Sequence, residues 1–126
     1  MEALLKKVVI ITGGSRGIGA ATSTLLASKG YSVCINYLKN KKRAELLVAQ
    51  IRELGWEAFS FQADVSVEAE VKSLFLSVNE KYGVVTHLVN NAGILFTQSQ
   101  LCDIDVERFQ KIMNSNVTSC FLCCKE

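Results

Sequence analysis

Apolar and polar residues along this chain are grouped in blocks rather than scattered. Short runs rich in β-branched residues, Lys6–Thr12 and Tyr31–Asn36, carry apolar side chains on consecutive positions. A strand covered on both faces reads this way, because neither face is left for water. Between the runs the apolar spacing changes to three and four, which lines them up along one side of a helix. Gly17–Lys29 predicts a first helix with Ile18, Ala21, Leu25 and Leu26 on its buried stripe and Gly30 as its stop. Lys41–Leu54 predicts a second, burying Ala44, Leu47, Val48, Ile51 and Leu54 and ending at Gly55. Val67–Tyr82 predicts a third, with Val67, Val71, Leu74, Phe75, Val78 and Tyr82 on its apolar face. Ser66 reads as its N-cap, and Glu68 and Glu70 suit the positive end of its dipole. Trp56–Gln62 and Val84–Val89 read as the third and fourth strands. After a loop over Ile94–Ile104, a fourth helix starts near Asp105 and runs to Glu126. Its stripe passes through Val106, Phe109, Met113, Val117, Cys120 and Cys124.

Four strand–helix units in series predict an α/β fold, a parallel sheet with right-handed crossovers and helices on both faces. No linker or repeat interrupts them, so residues 1–126 read as one domain. Composition narrows the class. A chain that is 49% apolar and 21% charged can bury a core. Its net charge of +2 argues against a nucleic-acid partner. No apolar run approaches the roughly 18 residues of a membrane span. The first residues lack the small-residue cleavage site of an export signal. The expectation is a cytoplasmic protein whose five cysteines are reduced.

The sharpest local signal follows the first strand, at Thr12-Gly-Gly-Ser-Arg-Gly-Ile-Gly19. Glycines at 13, 17 and 19 let the backbone turn tightly and approach a bulky anion, while the helix behind offers free N–H groups and its positive end. A P-loop is excluded, because Ala20 and Ala21 stand where its lysine and hydroxyl residue belong. The same glycines could also serve packing alone.

Charge indicates which anion. In dinucleotide folds a carboxylate about 20 residues past the loop holds the ribose 2′-hydroxyl of NAD. Here Asn36 stands there, and no Asp or Glu occurs from Tyr31 to Ala44. Lys39, Lys41, Lys42 and Arg43 cluster instead, with Arg16 in the loop. Cations at a helix start oppose its dipole, and a phosphate there offsets that cost. This favours NADP over NAD, against the plain alternative of a solvated basic face. Strand four ends in Asn90-Asn91-Ala92-Gly93, a polar edge where open α/β sheets bind ligands, or else a simple turn. Asp64-Val65, at the end of strand three, either meets an adenine or caps the third helix.

Taken together, the glycine loop, Asp64-Val65 and Asn-Asn-Ala-Gly resemble the short-chain dehydrogenase/reductase family over essentially the whole chain, in particular its oxoacyl reductases and sugar dehydrogenases. The resemblance implies a Rossmann-type domain truncated to about four βα units. It implies that Gly13, Ser15, Arg16, Gly17, Ile18 and Gly19 meet the pyrophosphate and the phosphorylated ribose. Asn36 would stand at the ribose, Asp64 and Val65 would flank the adenine, and Asn91, Ala92 and Gly93 would line the cofactor. Asn90 would tie the central strands. Asn116 matches the asparagine of the family's Asn-Ser-Tyr-Lys tetrad. Its amide also interrupts the apolar stripe of helix four, which calls for a hydrogen-bonding role.

The rest of that tetrad has no match. One Tyr-x-x-x-Lys spacing occurs, Tyr37 to Lys41, at the adenosine end and far from a nicotinamide. The chain therefore reads as the cofactor-binding half of an oxidoreductase acting on a carbonyl or alcohol substrate, unable to transfer hydride alone. A non-catalytic dinucleotide-binding or dimerising module is one alternative, and a truncated product without function another. The resemblance allows a homo-oligomer. Cys120, Cys123 and Cys124 read as small core residues rather than a metal or redox site, and His87 as structural.

Overall fold

The computed structural model describes residues 6–126. Met1–Leu5, part of the segment read for an export signal, lie outside the described residues. Strands β1 (Val8–Ile11), β2 (Ser32–Tyr37), β3 (Ala58–Gln62) and β4 (His87–Val89) alternate with helices α1 (Gly17–Ser28), α2 (Lys41–Glu53) and α3 (Glu68–Tyr82). The strands form one parallel sheet in the order β3-β2-β1-β4. Beyond β4 come a single tight turn at Leu101–Asp103 and then α4 (Val106–Met113). A π-turn over Asn114–Thr118 joins α4 to α5 (Ser119–Lys125).

The uninterrupted apolar runs do what a two-sided strand requires. On β1, Val8 and Ile10 face a core with Val71, Leu74 and Val78 of α3 and Leu122 and Cys123 of α5. Val9 and Ile11 face the opposite core, with Ala27 of α1 and Val48 and Ile51 of α2. The period of two along the strand divides one run between two layers. Gly30 and Gly55 stop their helices as the sequence indicates, and Gly83 does the same after α3. Gly30, Gly55 and Gly83 all adopt positive φ, which side chains disfavour.

All four helix readings change in part. α1 buries Gly19, Ser23 and Ala27, while Ile18 and Leu25 are exposed and Leu26 only half-buried. A helix this close to the sheet needs small residues at the contact, so the bulky ones turn outward. On α2, Leu54 is exposed beyond the last turn. On α3 the N-cap position belongs to Val67, not Ser66, and Val67 is exposed. The largest change is at the fourth helix. Val106, Phe109, Met113 and Val117 are exposed, and Ser119, Leu122 and Cys123 are buried instead. The π-turn inserts about one extra residue into the helical spacing and rotates α5 relative to α4, so one 3.6-residue period no longer describes both halves. Asp105 does begin this helix, accepting a hydrogen bond from the Arg108 N–H at 2.7 Å.

Candidate dinucleotide site

All four strands point their C-terminal ends toward one cavity of about 600 Å³, within the range of small-molecule and cofactor sites. Four segments and Ser115 of the π-turn line it: the glycine loop, residues 36–43 after β2, residues 63–66 after β3, and Asn91–Ile94 after β4. These are the segments singled out in the sequence. Of the residues assigned to the cofactor or the tetrad, Gly19 and Asn116 stand behind the wall rather than on it.

The loop is shaped by close contact. A Cβ on Gly19 would lie 2.3 Å from the Gly13 carbonyl oxygen and 2.6 Å from Asn91 Nδ2, so no side chain fits there. Gly13 and Gly17 hold φ of 61° and 55°, the left-handed region that favours glycine. Gly17 faces open space, which leaves the backbone at the helix mouth bare. The first-turn amides of α1 have no acceptor inside the helix, and the helix dipole adds positive potential there. Ser15 is buried against the cavity, while Arg16 is exposed at its edge.

Two buried hydroxyls that sequence reasoning passed over hold this arrangement. Thr12 Oγ1 accepts from the Asn91 N–H at 3.0 Å and the Ala92 N–H at 2.9 Å. Ser23 Oγ reaches the carbonyls of Gly14 and Gly19 at 3.2 and 2.8 Å. Their only signals were a hydroxyl closing an apolar strand and a serine four residues past Gly19. Asn91 Nδ2 donates to the Gly13 carbonyl at 2.9 Å, locking the β4 end against the loop. Asn90 was assigned the central tie, but it is exposed and its Nδ2 donates to Cys124 Sγ at 3.4 Å. The tie belongs to Asn91 and Thr12.

At the β3 end, Asp64 Oδ1 accepts from both the N–H and the hydroxyl of Ser66, at 3.0 and 2.6 Å. It shapes its own turn. Asp64 and buried Val65 both line the cavity. After β2, Asn40 caps α2 by accepting from the Arg43 N–H at 3.1 Å, which sets Lys39 and Arg43 on the cavity wall. Lys41 pairs with Glu45 at 3.8 Å instead, and Lys42 is not on the wall. Asn36 is 2% exposed with its amide engaged inside the protein. Asn116 lies in the π-turn and clamps Ile94 twice, accepting from its N–H at 2.7 Å and donating to its carbonyl at 3.0 Å. The asparagine is half-buried and fixes the segment leaving Gly93.

Comparison with known proteins places this geometry. The family model described as short chain dehydrogenase matches residues 7–126. The chain belongs to that family. Among curated relatives, the uncharacterized oxidoreductase YgfF of Escherichia coli (strain K12) is 44% identical over 119 residues, covering 94% of this chain and 48% of that protein. A 3-oxoacyl-[acyl-carrier-protein] reductase of Synechocystis is 39% identical over 125 residues, covering 99% and 50%. This chain thus spans about half the length of the relatives it matches. Among solved structures, a phenylalanine-to-leucine double mutant of a short-chain dehydrogenase/reductase from Serratia marcescens superposes with TM-score 0.90 at 31% identity, covering 94% and 48%. A blue fluorescent protein from a metagenomic library, solved in complex with NADPH, gives 0.87 at 36% identity, covering 94% and 49%. The short-chain dehydrogenase sheet and crossovers are therefore present here in Rossmann form, at about half the relatives' length.

Of the other candidates, Tyr37 lines the cavity and the rest lie off its wall. Tyr37 is buried at the end of β2, and Lys41 is bound to Glu45, so this pair forms no acid–base couple. Cys34 and Cys123 are buried, whereas Cys102 and Cys124 are exposed and so are not core residues. Burial pushes the Cys34 thiol far up, and burial with Cys124 and Cys120 nearby pushes Cys123 up to about 11. Neither is a thiolate at neutral pH. His87, exposed at the start of β4, packs edge-on against Tyr31.

Proposed function

We propose that this chain binds NADP(H) for a carbonyl–alcohol oxidoreductase. The observation carrying the reading is that one cavity joins the glycine loop to Arg16, Lys39 and Arg43, with Asp64 the sole carboxylate residue on its wall among the described residues. The residues fit such a cofactor. The bare backbone at Gly13–Gly19 suits a pyrophosphate, because N–H groups and the helix dipole both favour negative charge. Arg16 and Arg43 offer planar donor forks to a 2′-phosphate, with Lys39 as a point charge. Asp64 and Val65 provide a polar edge and an apolar surface for the adenine. Asn91, Ala92 and Gly93 form the wall leading toward the reactive ring, and Asn116 keeps that wall in place through Ile94. When bound, the nicotinamide supplies or accepts the hydride. Proton transfer falls to the family's Ser and Tyr-x-x-x-Lys, for which these 126 residues hold no matching set. The reading therefore assigns this chain the work of holding and orienting the cofactor, and the small carbonyl or alcohol substrate to the whole protein.

Titration with NADPH and NADH tests it. NADPH should bind roughly tenfold or more tightly, the scale of one charge-assisted contact. Arg16→Glu should remove that preference by weakening NADPH while leaving NADH nearly unchanged. Equal affinity for both cofactors, or an Arg16→Glu variant that binds NADPH as the parent does, would overturn the assignment.

A further inference from the structure

Asn36 does more inside this fold than an ordinary strand residue. Its side-chain oxygen accepts from the Gly13 N–H at 3.3 Å, and its main-chain oxygen accepts from the Gly14 N–H at 2.9 Å. Two consecutive amides of the glycine loop are thereby fixed by one residue. The other half of its amide turns to the opposite side. Nδ2 donates to the carbonyls of Phe61 and Ala63, at 3.3 and 3.1 Å. Ala63 leads directly into Asp64 and Val65. One buried amide thus bridges the loop that meets phosphates and the wall that meets the adenine, from between them.

We infer that Asn36 is a positioning residue that couples the phosphate loop to the adenine wall. It acts through Gly13 and Ala63 rather than by touching the ribose. The inference rests on the proposed dinucleotide reading. The chemistry selects an amide at this point. The site needs an acceptor toward Gly13 and a donor toward two carbonyls, and asparagine supplies both without charge. A carboxylate of the same shape accepts but cannot donate. Asn36→Asp would turn an anionic oxygen toward the carbonyls of Phe61 and Ala63, so it would not create a ribose-binding acid of the NAD type. A neutral carboxylic acid restores one donor and one acceptor, and burial favours that neutral form.

The test is NADP+ affinity measured on the parent chain, Asn36→Leu and Asn36→Asp, well below their melting temperatures. Asn36→Leu, similar in size but without polar atoms, should lose about tenfold or more in NADP+ affinity while remaining folded by circular dichroism. Asn36→Asp should bind poorly at pH 7.5 and recover toward the parent at pH 5.5, with the affinity ratio of variant to parent changing about tenfold. A residue needed only for stability would shift the melt and leave those affinities alone. Parent-like binding by folded Asn36→Leu overturns the inference. Should Asn36→Leu fail to fold, a pH-independent ratio for Asn36→Asp overturns it equally. A parent chain that binds no NADP+ overturns the cofactor reading, and this inference with it.

Discussion

Glycine residues in the loop are required for different reasons, and substitution separates them. At Gly19 the obstacle is space, because a methyl group would enter both the Gly13 carbonyl and the Asn91 amide. At Gly17 the space is open and the obstacle is the backbone angle of 55°. Asparagine visits that region readily, so Gly17→Asn should cost at most about 1 kcal/mol. Gly19→Ala should cost about 1–3 kcal/mol, the usual penalty of overpacking, and should displace Asn91 from the loop. Urea melts of the two variants check the order. A Gly19→Ala protein as stable as the parent would refute the steric account. The reactive-looking residues follow the same local logic. Tyr82 is pushed up to about 12, chiefly by burial and then by the charge of Glu57. It stays a neutral phenol packed edge-on against Phe59.

Among the elements, α5 is fastened to α3 by more than its buried Leu122 and Cys123. Lys125 Nζ donates to Glu68 Oε2 at 3.0 Å, and Lys72 approaches the same carboxylate at 3.9 Å. The Lys125 hydrogen bond, with the charges of Lys125 and Lys72, holds Glu68 below its ordinary carboxylate value of 4.5. A depressed folded-state value stabilises the protein above the unfolded value, and that stabilisation disappears as pH falls through the folded one. The pair is exposed, so its contribution is small and screened by salt. Lys125→Ala should raise the Glu68 titration toward its ordinary value by NMR. Any stability deficit of this variant at neutral pH should vanish once Glu68 is protonated. An unchanged Glu68 titration would show that α5 is not anchored there.

At the scale of the whole molecule, the apolar stripe of the fourth helix stays open among the described residues. Phe109 and Val117 are 54% and 53% exposed. Leu74, by contrast, is fully buried between α3 and the sheet. Leu74→Ala should cost about 2–5 kcal/mol, the transfer and cavity terms of a core leucine. Phe109→Ser should stay within about 0.5 kcal/mol of the parent, as surface changes do. Chemical denaturation of both variants measures the contrast. A large loss from Phe109→Ser would mean that the stripe of the fourth helix is core after all. Among the described residues no helix is long and apolar enough to cross a membrane, so that stripe is not part of a helical span.

By itself the sequence determined the layer order of the fold and the address of the site. Continuous runs this short and this rich in β-branched residues read as two-sided strands, and the glycine, Asp64 and Asn91 signals all sit at strand ends, where a parallel sheet gathers them. Those features are local, so they survive without knowledge of neighbours. Tertiary structure decided which side of each helix is buried and which partner each polar group takes. Close packing against the sheet turned Ile18 and Leu25 outward, and the π-turn rotated the fourth helix. The partners of Asn36, Asn90 and Thr12 depend on chain segments up to 80 residues away, as the Thr12–Ala92 contact shows. No periodicity encodes a hydrogen bond across that distance, because its geometry exists only once the sheet has formed.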